Sequence, residues 1–461
     1  MIELTLAEIA AAIGGRVVGD ASASVSGTVH TDSRLVEPGD LFFALRGETD
    51  DGHRFAPSAV DRGAALLVVE RELDLPVPQV VVSDGLQALS ALAASVVQRV
   101  REGGDLRVLA VTGSNGKTTT KNMLRAILER EGETVAPAGS FNNQVGAPVS
   151  MLRSTASTRF LIVEMGADGV GDVASLVSIA RPDVGIVLKV GYAHIGKFGD
   201  LDTVERAKGE MVADLPPEAT AVLNGDDPRV TRMPTAARVV RFGLDDSADV
   251  RADDVQLTRE GTTFTVVADD ESAPVTLRIL GEHHVSNALA AIAAARAVGV
   301  PVARSAEALG TMARAERWRM EVLQAPEGWT VINDAYNASP DSMAAALKTL
   351  AQVGGEGRTF AVLGQMAELG DHTVEEHDRV GRLVVRLGIS QLVVVGQEAR
   401  TLHKAAELEG SWDGESLIVD DVDAAYDVVR DRLRPGDVVL VKASNVAGLR
   451  SLGDRLGGVA E

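Results

Sequence analysis

The stretch "RVLAVTGSNGKTTTKNMLRAILEREG", residues 107–132, constrains the fold more than any other. A buried-type strand breaks at Gly113 and Gly116. A helix pattern follows at once, with Met123, Leu124, Ile127 and Leu128 on one face and Gly132 as its stop. Strand, glycine turn and helix form the repeating unit of parallel sheets, because a parallel return strand needs a crossover. The turn is also nearly a phosphate loop, which reads glycine, four residues, then Gly-Lys-Ser/Thr. Val111 stands where the first glycine of that pattern belongs. What remains offers two flexible positions, Lys117 for the β- and γ-phosphates and the Thr118 hydroxyl for Mg²⁺. The helix start aims its free amides at an anion, a contribution of about 0.3–2 kcal/mol depending on burial. A plain glycine turn is the bland alternative, and a GKTTT run at the helix start disfavours it. Gly113, Ser114, Asn115, Gly116, Lys117, Thr118 and Thr119 are therefore the candidate nucleotide-binding segment.

Around this unit, 461 residues suggest about three domains at roughly 150 residues each. In residues 1–105, Thr5 and Glu8 stand in capping-box spacing before a short helix that should stop at Gly14 and Gly15. "DLFFAL", "AALLVVE" and "PQVVVS" read as strands, and "GLQALSALAASVVQRVREGG" as a helix. Residues 106–316 add the strands "RFLIVEMG", "VGIVLKVG" and "TAVLNGDD" between helical segments, so parallel α/β is expected. From about Val250 to Leu280, alternating "VQLTREGTTFTVVADD" and "APVTLRIL" predict an antiparallel annex. Residues 317–461 carry "WTVINDAY", "TFAVLGQM", "QLVVVGQ" and "DVVLVKAS", a second, Rossmann-like sheet whose carboxyl rim would hold Asp334, Gln365 and Lys442.

Charge and composition narrow the partners. A net charge of -21 argues against a sequence-independent grip on nucleic acid or acidic lipid, so phosphates must be held by a few groups in a local field. Without cysteine, disulfides and thiolate metal sites are excluded, which leaves oxygen ligands and histidine. The opening "MIELTLAEIA" has no basic region ahead of an apolar core, and nowhere do eighteen apolar residues run together. A cytoplasmic protein without membrane insertion is expected. No motif specifies an oligomer, so a monomer is the default.

Five further positions invite chemistry. Glu164 ends the strand "RFLIVE", where a nucleotide-binding sheet supplies an acidic Mg²⁺ contact; a merely solvated carboxylate is the alternative. His194 follows another strand in "KVGYAHIGKFGD", but a lone histidine is more often a satisfied hydrogen bonder, and Mg²⁺ prefers oxygen. Asp334 suits a ribose hydroxyl pair and equally an Asx turn before Pro340. Arg319, at the domain junction, suits either a terminal phosphate across a cleft or a surface salt bridge. Lys208 reads on sequence alone as a helix-surface lysine, since an ammonium repels a metal cation. His283, His284, His372 and His377 have no partner spacing and read as structural.

These stretches together resemble the Mur ligase family of ATP-dependent amide-forming enzymes, whose phosphate loop reads TGTNGKT beside "TGSNGKT" here. The resemblance spans nearly the whole chain and points to the D-alanyl-D-alanine-adding branch. It rests on "TDSRLVEPGDLFFALRGETDDGHRF", "SFNNQVGAPVSML", "VEMGA", "AHIGKFG", "AKGEM", "DAYNASPDSM" and "GQMAELG". It implies a small substrate-binding domain, a central phosphate-loop domain and a Rossmann-like third domain. It further implies ATP and Mg²⁺, with UDP-N-acetylmuramoyl-tripeptide and D-alanyl-D-alanine as substrates. By the same resemblance, Lys117 and Thr118 hold phosphates and Mg²⁺, and Glu164 and His194 contact metal. Asn287 faces adenine, and Arg319 and Asp334 hold phosphate and ribose. Lys208 becomes a carbamylated lysine, which turns a cation into an anion and reverses its surface reading. Lys117, Lys208 and His194 form the implied catalytic set. Ser33 and Arg34 would contact the uridine nucleotide, and Asn142 and Asn143 the substrate loop. Ala443 and Asn445 depart from the family's "KGSR" after Lys442, Gln365 replaces the aspartate of "GDMxELG", and Lys189 replaces a common asparagine.

The implied reaction activates a carboxylate as an acyl phosphate, which an amine then displaces. Because the nucleotide contacts are divided between Lys117 and Asp334, the third domain is expected to close onto the second. A phosphate-loop switch is the rival from another class. The chain lacks an "NKxD" guanine motif, and also the "DNPR" of the third-residue ligases. A domain precedes the loop, unlike in folylpolyglutamate synthetases.

Overall fold

The structure, a computed structural model, describes residues 1–459 apart from 48–49, 259–260, 313–315 and 356. It is α/β, with three main sheets in chain order. The first has five strands ordered Arg16–Val18, Gln79–Val81, Leu66–Val69, Leu41–Phe43 and Val29–His30, parallel except for its first pair. The predicted capping box forms: Thr5 Oγ1 accepts the Glu8 amide, and the helix Leu6–Ile13 ends at Gly14 in the left-handed region. The long helix Gly85–Gly103 starts at the Asp84 cap and buries Leu89, Leu92, Val96 and Val100.

The central sheet has nine strands, and the loop strand Arg107–Thr112 lies between Val184–Val187 and Phe160–Glu164. Chain order reverses on either side of it, so the crevice beyond its carboxyl end is the natural ligand position. Register pairs Glu164 with Val111 and Val187 with Thr112, which brings both neighbours' ends level with the glycine turn. The annex forms as expected. Val250–Thr258, Gly261–Ala268 and Glu271–Leu277 are antiparallel and extend the same sheet instead of folding apart. Behind the loop helix Lys117–Leu128 runs Glu282–Ala297, whose alanines are buried on nearly every side. A helix apolar all round belongs inside, and this one carries His284 and Asn287 into the interior beside the loop.

The third sheet is ordered Glu321–Gln324, Thr330–Asn333, Val438–Lys442, Thr359–Leu363, Gln391–Val395 and Glu415–Val419, again parallel except for its first pair. Its carboxyl rim carries Asp334, Lys442 and Gln365 and faces the central sheet's loop. Among the described residues no helix is long and apolar enough to cross a membrane.

Candidate active site

Gly113 (φ +151°) and Gly116 (φ +87°) turn the chain from strand to helix in conformations that L side chains avoid. A side chain at Gly116 has no room, since a Cβ there would stand 2.4 Å from Asn287 Oδ1. Ser114 is used internally: its amide donates to Lys189 O at 2.8 Å. Its hydroxyl donates to Gly191 O at 3.0 Å. Those bonds splint the loop to the next strand's end. Lys117 is half-buried and donates from Nζ to Gly113 O at 2.6 Å. Burial lowers its pKa, and Arg319 adds to this while Glu164 opposes it.

The strand end Glu164 is fully buried. Its Oε1 accepts from Asn142 Nδ2 at 2.8 Å and from Thr118 Oγ1 at 3.2 Å. Its Oε2 is buried without a hydrogen-bond partner among the described residues, and Lys121 Nζ stands 4.0 Å away. A buried carboxylate with an open oxygen beside a threonine hydroxyl fits Mg²⁺, which takes one or two protein oxygens and completes its shell with phosphates and water. Among the described residues no three His, Cys, Asp or Glu side chains gather around a common point, so protein alone would not cage a metal. Any such ion would be held jointly with the nucleotide.

The third domain meets this loop at several points. Ser339 Oγ donates to Asn115 Oδ1 at 3.1 Å. Arg319 Nη2 donates to Ser140 Oγ at 3.1 Å, and Ser140 lies 3.2 Å from Thr118 Oγ1. Asp341 binds Lys189 Nζ and the Tyr192 amide, each at 3.2 Å. Glu368 takes the Gly196 amide at 2.9 Å on its carbonyl, and its carboxylate lies against His194 Nδ1. The two sheets are thus already apposed. Asp334 lines the cleft but is engaged: Oδ2 accepts from Lys442 Nζ at 2.6 Å and Oδ1 from the Met320 amide at 3.0 Å. The buried Lys442 also donates to Asn337 O at 2.9 Å and itself lines the cavity.

One cavity of ≈ 640 Å³ collects the candidate loop segment with Asn142, Asn143, Glu164, His194, Lys208, Asn287, Arg319 and Asp334. Ser33 and Arg34 lie outside it: Ser33 is buried in the first domain, and Arg34 is exposed in a fork with Asp32. Two readings need correction. Lys208 is not on the surface; it is 3% exposed, and among the described residues its Nζ meets only the Phe198 ring, 5.5 Å away. Burial lowers its pKa to about 7, and Lys117 pushes the same way. Its helix offered the signal, since Val204, Ala207, Met211 and Val212 form the apolar stripe on which Lys208 falls. His283 and His284 are not merely structural, for both line the cavity. Burial holds His283 near 4 and His284 well below the usual imidazole range, so both are neutral. His377 is structural as expected, bonded to the Met366 amide and Thr373 O. Sequence reasoning also missed Lys121, whose buried ammonium ties down Pro137 O at 3.0 Å and Gly139 O at 2.7 Å.

Known proteins share this arrangement. Residues 27–101 match the Mur ligase family catalytic domain, 111–295 the Mur ligase middle domain, and 318–445 the Mur ligase glutamate ligase domain. A Mycobacterium bovis UDP-N-acetylmuramoyl-tripeptide–D-alanyl-D-alanine ligase is 44% identical across 99% of this chain and 98% of its own length. The chain belongs to the Mur ligase family. Among solved structures of Mur ligases, MurF from Acinetobacter baumannii superposes with a TM-score of 0.89 at 30% identity, covering 99% of both chains. MurF from Thermotoga maritima in complex with ADP gives a TM-score of 0.82 at 27% identity, covering 94% of this chain and 98% of that one. Three α/β domains are therefore the common Mur ligase frame, and in this chain the phosphate loop, Glu164 and Arg319 meet in the cleft between the second and third.

Proposed function

We propose that this chain is a cytoplasmic ATP-dependent ligase of peptidoglycan precursor synthesis, joining D-alanyl-D-alanine to UDP-N-acetylmuramoyl-tripeptide with release of ADP and phosphate. The carrying observation is the convergence of Lys117, Thr118 and Glu164 from the central sheet with Arg319 and Asp334 from the third sheet on one cavity. The relatives' names and the ADP-bound neighbour support the same reading.

Residues 106–316 would seat ATP, with the phosphates on the loop amides and Lys117, and the adenosine toward Asn287 and Asp334. Residues 1–105 would take the uridine nucleotide through Ser33 and Arg34, with Asn142 and Asn143 guiding the peptide. Residues 317–461 close over both. An oxygen of the peptide carboxylate attacks the γ-phosphorus, an O–P bond forms, and the bond to the β-phosphate oxygen breaks. The dipeptide nitrogen then attacks the acyl carbon, loses a proton, and displaces inorganic phosphate as the C–O bond breaks. Lys117 and Arg319 hold the transferred group from two sides, and electrostatics of this kind supply most phosphoryl-transfer catalysis. Mg²⁺ at Thr118 and Glu164, bound with the nucleotide, would supply further positive charge there. The depressed pKa of Lys208 leaves a neutral amine fraction at pH 7, which suits addition of CO₂ with loss of one proton to give a carbamate anion. His194, held below the usual imidazole range chiefly by burial, offers a neutral nitrogen to the same cavity.

Turnover with each substrate withheld tests the reading. A ligase releases ADP and phosphate only when both the tripeptide and the dipeptide are present. Hydrolysis at an unchanged rate without them, with no amide formed, indicates a switch-type NTPase instead.

A further inference from the structure

At the junction of the second and third domains five side chains stack on one another, and the proposed reaction accounts only for Arg319. Arg317 Cζ lies 4.8 Å from the Trp318 ring centre. Arg450 Cζ lies 4.8 Å from the same ring and 4.6 Å from the Tyr336 ring. Arg319 Cζ lies 4.1 Å from Tyr336 on the same ladder. Guanidinium and ring alternate, and Arg450 alone touches both rings. Among the described residues it makes no ion pair and no side-chain hydrogen bond, and its Nε is buried. A partly buried arginine without a carboxylate is uncommon, and here two π faces offset its charge.

The backbone beneath the ladder is unusual too. Trp318 (φ +61°) and Met320 (φ +51°) both occupy the left-handed region, which bulky residues rarely adopt. Such conformations persist only where the surroundings over-determine them. Here the Trp318 amide donates to Glu321 Oε2 at 3.0 Å and its indole to Asp454 Oδ2 at 3.0 Å. The Tyr336 amide donates to Trp318 O at 3.1 Å, and the Met320 amide to Asp334 Oδ1 at 3.0 Å. Arg319 emerges between the two strained residues. Its Nη2 reaches Ser140 beside Thr118, while its Nε, 3.4 Å from Glu316, completes no hydrogen bond among the described residues. This ion pair lacks the directionality of a completed hydrogen bond, and the Tyr336 ring beneath the guanidinium adds a second constraint on its aim.

We infer that Arg450 is a positioning residue for phosphoryl transfer. Acting through Tyr336 and Trp318, it holds Arg319 pointed across the cleft at the terminal phosphate, although Arg450 itself lines no part of the cavity. The inference rests on the ligase reading and adds to it a residue in the C-terminal helix Arg450–Leu456.

The test compares Arg450→Met, which keeps the stem but removes charge and plane, with Arg450→Lys, which keeps the charge. Arg450→Met should lower kcat about tenfold, with a smaller change in KM for ATP, and Arg450→Lys should recover part of it. In an Arg319→Ala background, Arg450→Met should change kcat no further, because its effect passes through Arg319. With Trp329 and Trp412 replaced by phenylalanine, the remaining Trp318 fluorescence should shift in Arg450→Met. Wild-type kcat in Arg450→Met, or an undiminished loss on top of Arg319→Ala, overturns the inference. If Arg450→Met does not fold, Tyr336→Leu breaks the same ladder and is carried through the same cycle. Wild-type hydrolysis without acid or amine sinks the ligase reading alone, and the cycle is then scored on that hydrolysis.

Discussion

Replacing Lys208 by methionine should make the protein more stable and yet inactive. The side chain is buried against Phe198, among the described residues nothing hydrogen-bonds its ammonium, and burial lowers its pKa to about 7. In the unfolded chain a lysine titrates near 10.4. The folded value is the depressed one, so between about pH 7 and 10.5 the unfolded chain binds the extra proton and stability rises with pH. At 1.36 kcal/mol per pH unit across that gap, the buried lysine costs about 4 kcal/mol at pH 7, an upper figure because structure and water relax around it. Methionine fills the same stem volume without the charge. We expect Lys208→Met to be more stable by about 2–4 kcal/mol at pH 7, with the advantage vanishing near pH 10.5. Urea unfolding in CO₂-free buffer, followed on the transition that contains the central domain, measures this. Added bicarbonate should narrow the gap by stabilising only the wild type, and turnover should be lost in the variant. Equal stabilities with parallel pH dependence, or a fully active variant, would refute the reasoning.

Other substitutions probe the rest of the site. Gly116→Ala forces a left-handed alanine, costing about 1–2 kcal/mol, and pushes Asn287 aside; KM for ATP should rise about tenfold or more in steady-state assays. Glu164→Gln takes the nearest counter-charge from the buried Lys121, leaving only the weaker pull of Glu316, and removes the open carboxylate oxygen. Its kcat should fall about a hundredfold or more and its Mg²⁺ dependence move to higher concentration, whereas an unchanged Mg²⁺ titration would remove Glu164 from the metal contacts. Glu368→Ala cuts the links from the third domain to His194 and Lys197, so small-angle scattering without ligand should report a larger radius of gyration. Identical profiles would mean that these contacts do not hold the domains together.

Local features of the site were legible because the sequence carries them contiguously. The loop, its helix and the strand-end Glu164 depend on neighbours within a few residues, and the annex was visible through period-two alternation in residues 250–277. Features created by distant partners were not. Glu368 against His194, Asp341 against Lys189 and Arg450 between Trp318 and Tyr336 join segments far apart in the chain, and no spacing rule encodes such a meeting. Lys208 shows a different limit. Charge pointed to the surface and helical period pointed to the core, and the apolar stripe decided its position. The strands Glu321–Gln324 and Glu415–Val419 escaped notice because both are short edge strands with little of the apolar density of central ones.

The central claim is that the loop activates a carboxylic acid by phosphorylating it, and isotope transfer tests this most directly. With the terminal carboxylate of the UDP-muramoyl tripeptide labelled with ¹⁸O, the released inorganic phosphate should carry one labelled oxygen per amide bond formed. Phosphate free of label, with amide formed at the normal rate, would contradict activation through an acyl phosphate.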